Sequence, residues 1–171
     1  VSSEFDVDKL VRTIVQLTTE VTEADFAWLE LRHENDQQLR LVSSCRLDQT
    51  ERDTKDVSFS DPLVQKIIRD RSTFSSNQAA KNTHSSHLCQ WKHDLGSLIA
   101  VPLATGERVV GILYAGKTYE FGFEQEDGEM LRAFGDQAVI ALENARLIKE
   151  SLIKERLEQE LKVAQIGRAH V

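Results

Sequence analysis

Cysteine is scarce in this chain: among 171 residues only Cys45 and Cys89 carry thiols. Two thiols make no disulfide scaffold, so an apolar core must hold the fold, as in a reducing compartment. No apolar run approaches the roughly 18 residues of a membrane-spanning helix. The opening stretch, "VSSEFDVDKL", is acidic and lacks the basic-then-apolar plan of a secretory signal. Together these absences point to the cytoplasm and away from a membrane. Basic clusters are also missing. With 21 Lys+Arg against 28 Asp+Glu the formal charge is -7, which argues against nucleic acid as a partner. There is no internal repeat or low-complexity segment. No Ser/His/Asp grouping, Gly-rich phosphate loop or paired-carboxylate spacing stands out, so no catalytic residue is assigned and the chain reads as a non-enzyme. No cofactor is required by these residues.

What is present suits one globular domain with a helical extension: 40% hydrophobic and 29% charged residues. Val7, Leu10, Val11, Ile14, Leu17 and Val21 recur at helical spacing, with Ser3 and Asp6 as a start signal. "FAWLELRHE" and "QLRLVSSCRL" read as strands around the polar turn "NDQQ". In the first, Ala27, Leu29 and Leu31 take one face, Phe26 and Trp28 the other. "DQTERDTKD" reads as a charged loop. "SDPLVQKIIRDR" is a short helix capped by Ser60 or Asp61, with Pro62 in its first turn and Leu63, Val64, Ile67 and Ile68 buried. A brief strand at Thr73 and Phe74 leads into a long polar segment, Ser75 to Asp94, able to hold a short helix at Leu88 to Lys92.

"GSLIAVPLATGERVVGILYAGK" then reads as a hairpin whose two faces are both apolar. Ile99, Val101, Gly111 and Leu113 should meet helices, with Gly111 and Ala115 small enough to admit one closely. Leu98, Ala100, Ile112 and Tyr114 should face the long segment from Phe59 to Asp94. Leu131, Phe134, Ala138, Ala141, Leu142 and Ala145 mark a final helix that does not stop at the domain edge. Its positions Ala141, Ala145, Ile148, Leu152, Leu157, Leu161 and Ala164 keep coiled-coil spacing, with one slip between Leu152 and Leu157. The last six residues, "IGRAHV", break that pattern and are expected to be a non-native tail. With the non-Met start, a fragment of a longer protein is expected. The expected organisation is a globular domain over 1–145, a coiled-coil helix over 146–165, and the tail over 166–171. The fold class is α+β.

"SLIAVPL", "GERVVGILYAGK" and "FEQEDGEMLRAFGDQAVIALENARL", in this order and spacing, resemble the C-terminal half of the GAF family of small-ligand sensory domains. The resemblance extends over nearly the whole chain up to the long helix. It implies a six-stranded antiparallel sheet, with the N- and C-terminal helices on one face and a pocket roofed by loop and short helix on the other. By analogy the pocket face carries Leu98, Ala100, Ile112 and Tyr114, with Trp28 on the neighbouring strand; Trp91 is a further aromatic able to line the pocket, and the ligand is an unknown small molecule. "ERLEQELKVAQ" is similar to the linker entering serine phosphatases of the sporulation type; a histidine-kinase output is the rival. Either way, a homodimer through the C-terminal helix is expected.

Cyclic-nucleotide-binding relatives carry Asn-Lys, Phe and Asp-Glu. Here Lys117, Phe123 and Asp127 match, but Gly116 and Gly128 replace the Asn and Glu. Lys117 and Asp127 are instead expected to form a structural clasp. His84, His87, Cys89 and His93 crowd the long segment and offer metal- or haem-type ligands, although His-x2-His-x-Cys-x3-His is no standard finger. Relatives that carry a bilin or reduce methionine sulfoxide need cysteines that Cys45 and Cys89 match poorly. Three readings stay open: a ligand-sensing module, a metal, haem or redox sensor, and a ligand-free dimerisation scaffold.

Overall fold

The computed structural model describes residues 7–33, 38–55, 61–106 and 108–169. Ser3, Asp6, Phe59, Ser60 and most of the "NDQQ" turn lie outside them. The elements, in chain order, are α1 (Val7–Thr22), β1 (Phe26–Arg32), β2 (Leu39–Cys45), α2 (Gln49–Thr54), α3 (Pro62–Asp70), β3 (Phe74–Ser76), α4 (Leu88–Trp91), β4 (Ser97–Thr105), β5 (Arg108–Lys117) and α5 (Gln125–Ala169). The strands form one antiparallel sheet in the order β2-β1-β5-β4-β3. Among the described residues that sheet has five strands, where the family resemblance implies six. After Ser76 the chain winds into a single helical turn at Ala79–Lys81 instead of extending along β3.

The hairpin of β4 and β5 is apolar on both faces because both faces are covered. Ile99, Val101, Leu103, Leu113 and Ala115 join Ala27 and Leu29 against α1 and the first part of α5, through Val11, Ile14, Leu131, Ala138 and Leu142. Leu98, Ala100, Ile112 and Tyr114 join Phe26, Trp28 and Phe74 beneath Leu63, Val64 and Ile67 of α3 and Leu88 of α4. α2, α3 and α4 thus make a roof over the sheet face opposite α1 and α5.

The apolar spacing of α1 locates its buried stripe except at one edge. Leu17 is exposed, while Val15, Thr18 and Thr22 are buried. Both threonine hydroxyls donate back to the carbonyl four residues earlier, at 2.7 Å, so they enter the core without an orphaned donor.

"DQTERDTKD" is not simply a loop: Asp48 and Glu51 form a reciprocal capping box that starts α2. Gly111 does not admit a helix. A side chain there would stand 2.5 Å from the backbone oxygen of Glu30 in the neighbouring strand. Close helix approach is arranged from the other side, by Gly135 of α5, whose missing Cβ would lie 3.1 Å from Val101 and 3.2 Å from Leu103. α5 is a single helix of 45 residues, continuous through the "IGRA" stretch.

Candidate functional site

Lateral register sets the site. Trp28 pairs with Tyr114, Tyr114 with Ala100, and Ala100 with Phe74, so one row crosses four strands under the roof. Trp28 and Tyr114 stack with ring centroids 4.6 Å apart, and Trp91 of α4 meets Trp28 edge-on at 5.1 Å. The structure therefore brings Trp28, Leu98, Ala100, Ile112, Tyr114 and Trp91 into one cluster.

That cluster encloses charge. Glu30, two residues after Trp28 on the same face of β1, is 0% exposed. Lys55, just past α2, reaches in from the roof: its ammonium lies 3.3 Å from Glu30 Oε2, and its side chain is only 2% exposed. The same ammonium sits 5.1 Å from the centre of the Trp91 ring. Among the described residues neither Glu30 oxygen accepts a well-formed hydrogen bond, so the 3.3 Å approach is an ion pair of poor hydrogen-bond geometry. The Trp28 indole N–H is likewise buried without an acceptor among the described residues. Burial pushes the Glu30 carboxyl above its ordinary range, although Lys55 and the neighbouring Tyr114 hydroxyl pull the other way. The Tyr114 phenol is raised well above its usual value, by burial first and by Glu30 second.

A ring of polar ties holds the roof shut around this centre. Asp61 caps α3 through its Oδ1 and meets His87 Nε2 through its Oδ2 at 2.8 Å, joining α3 to the segment before α4. Trp91 Nε1–H donates to the Glu51 carbonyl at 2.7 Å, and Lys92 bridges Glu51 and Asp94, both at 2.7 Å. Desolvation opposes the Lys92 charge, but Asp94 and Glu51 outweigh it and raise its pKa. A depression of about 620 Å³ between α2 and α4 lies over this ring, with Lys55, Trp91, His87 and His93 in its wall. A second depression, of about 650 Å³, lies at the start of α5 away from the buried charges. Its Arg132 and Asp136 pair with each other at 3.5 Å.

Other sequence candidates are not brought together. Among the described residues no group of three or more His, Cys, Asp or Glu side chains is placed to hold a metal. His87 is engaged with Asp61, and the Cys89 thiol faces the Leu95 carbonyl. Burial raises the Cys89 pKa, so it is a poor thiolate. Cys45 packs on the helix face and Cys89 on the roof face, so the sheet separates the two thiols. The Lys117–Asp127 clasp does not form. Asp127 is in the first turn of α5 and accepts from the Glu124 N–H at 2.8 Å; Lys117 donates to the Gly122 carbonyl at 2.8 Å and lies over the Phe123 ring. Each is satisfied locally.

Glu30 and Lys55 are the site residues that sequence reasoning missed. A signal existed for the first: alternation in "FAWLELRHE" puts Glu30 on the face of Phe26 and Trp28, an odd place for a solvated carboxylate. No comparable signal marks Lys55.

Comparison with known proteins agrees with this architecture. The chain is 22% identical over 167 residues to the formate hydrogenlyase transcriptional activator of Salmonella typhimurium, covering 94% of this chain but 24% of that protein. It thus spans about a quarter of the curated relative's length. The fold matches the GAF domain/HD domain protein from Geobacter sulfurreducens with a TM-score of 0.74 at 15% identity, over 85% of this chain and 97% of the other. It matches free methionine-R-sulfoxide reductase from Neisseria meningitidis with a TM-score of 0.72 at 15% identity, over 86% of this chain and 84% of the other. A family profile described as GAF domain covers residues 5–143, and this chain belongs to the GAF family.

Proposed function

We infer that this domain is a cytoplasmic sensory module that takes a small effector beneath the roof and signals through α5, as a homodimer, to an output domain. The observation that carries this reading is the burial of Glu30 and Trp28 beside Tyr114: among the described residues the Glu30 oxygens and the Trp28 indole N–H make no well-formed hydrogen bond at the centre of the roof-face core. An apolar core has no use for them, since each desolvated, unpaired polar group costs stability. An effector that supplies the missing partners favours one packing of roof on sheet. Such coupling requires different affinity for two states. α5 is suited to carry the difference outward, because Leu131, Ala138 and Leu142 pack on the hairpin while Ile148, Leu152, Leu157, Leu161 and Ala164 are exposed.

The linker-like sequence "ERLEQELKVAQ" supports a serine-phosphatase output. The Salmonella relative is a transcriptional activator, which makes a transcriptional output the second reading. Among the described residues no helix is long and apolar enough to cross a membrane.

Native mass spectrometry of the purified chain with a panel of nucleotides and metabolites tests effector binding. A bound species retained by the wild type and lost in Trp28→Ala and Tyr114→Phe is the expected result. Binding untouched by both substitutions would place the effector elsewhere. If no member of the panel binds, the scaffold reading is favoured.

A further inference from the structure

We propose that the roof-face site is a receptor for a small primary ammonium compound carrying a neutral acceptor oxygen, and that the Lys55 side chain is its resident stand-in. This rests on the effector reading above and specifies the ligand's chemistry. Three observations converge on it. The first is a carboxylate, Glu30, that is fully buried, with neither oxygen accepting a well-formed hydrogen bond from the described residues. A buried carboxylate of this kind selects for positive charge and for N–H donors, and works against anions.

The second observation is the occupant. Lys55 places an ammonium 3.3 Å from Glu30 Oε2 and 5.1 Å from the Trp91 ring centre. A carboxylate beside aromatic faces is the environment that recognises an organic cation. Lys55 fills it imperfectly, because its nitrogen arrives on a tether from the end of α2. A free ammonium can orient three N–H donors on both carboxylate oxygens and lie against the same rings.

The third is Trp28, whose indole N–H is buried and lacks an acceptor among the described residues. An ammonium alone leaves it unsatisfied; a ligand hydroxyl or carbonyl oxygen does not. Access follows from position. Lys55 and Trp91 line both the buried site and the depression between α2 and α4, so withdrawing one flexible side chain opens the carboxylate to the surface. The displaced ammonium would move toward the wall of the depression that also carries Glu51 and Asp48. Ligand entry therefore releases the Lys55–Glu30 tie between roof and sheet.

The test is a titration followed through the tryptophan indole N–H resonances, using ethanolamine, ethylammonium, ethylene glycol and acetate as separate probes on the full chain. Ethanolamine should shift the Trp28 signal saturably, ethylammonium more weakly, and ethylene glycol and acetate not at all. Lys55→Ala, which removes the competing occupant, should bind ethanolamine roughly tenfold more tightly than wild type. Glu30→Gln, neutral and of the same shape, should abolish the response. If Lys55→Ala does not fold, wild type against Glu30→Gln decides the matter. No saturable shift with ethanolamine in any folded form overturns the proposal. So does a response that survives Glu30→Gln. Binding of acetate or ethylene glycol in place of ethanolamine overturns the cation preference and leaves the effector pocket standing. Silence toward all four probes, with no bound metabolite in native mass spectrometry, removes both.

Discussion

Asp61 divides its carboxylate between two tasks, accepting the Leu63 and Val64 amides on Oδ1 and meeting His87 on Oδ2. Burial works against the charged form, but His87 and those amides outweigh it and hold the pKa below the ordinary 3.8. Its contribution to stability is then complete above about 3.8 and is lost as pH falls through the lower native value. Asp61→Asn keeps an N-cap and loses the charged partner of His87. We expect a loss of about 1 kcal/mol in urea unfolding near neutrality, and a gap from wild type that closes in strong acid. A constant gap would show that the charge is irrelevant. Glu30 has the opposite sign: its raised pKa means that the native state loses stability as pH rises from 4.5 through the native value. The aromatic half of this site is legible from two-residue periodicity in β1 and β5, which needs no long-range information. Lys55 is not, because its role depends on where a capped turn of helix lands above the sheet, and nothing local encodes that.

At the level of elements, β1 meets β2 through a local irregularity. The register with β2 slips between Leu29 and Glu30, so Leu39 and Leu41 pack under the roof while Cys45, of the same parity, packs toward the helices. At that point the Glu30 backbone also presses on Gly111 of β5. Gly111→Ala should therefore destabilise the domain by about 2 kcal/mol, measurable as a lowered midpoint in thermal unfolding. An unchanged midpoint would mean that β1 and β5 can part without cost. The hairpin, the two core faces and α3 with its Asp61 cap are readable from alternation and capping signals. α2 is not read as helix because its core is entirely polar; only the Asp48–Glu51 pair marks it. The expected Lys117–Asp127 clasp fails for a similar reason. Both groups find partners within a few residues, and local partners cost less ordering than distant ones.

For the whole molecule, the exposed apolar positions of α5 are the surface most in need of a partner. Ala141 and Ala145, expected at the seam, are largely covered within the protomer, Ala145 being 8% exposed. The seam available to a second copy therefore begins near Ile148 and runs through Leu157 and Leu161, which are 54% and 64% exposed. Leu157→Glu combined with Leu161→Glu should shift the molecular mass in light scattering from dimer to monomer, leaving the domain's melting transition intact. A wild type already monomeric at high concentration would rule this seam out.

The length of α5 gives it a mechanical meaning as well. Beyond Ala145, its last residue buried in the protomer, the helix projects roughly 36 Å at about 1.5 Å per residue. A tilt of about 5° where Gly135 rests on Val101 and Leu103 would swing the far end, about 50 Å along the helix, by roughly 4 Å, treating the helix as a straight rod. The domain is thus built as a lever whose fulcrum is one missing methyl group. Small changes in how the sheet packs against α5 would be enlarged along its length by geometry alone.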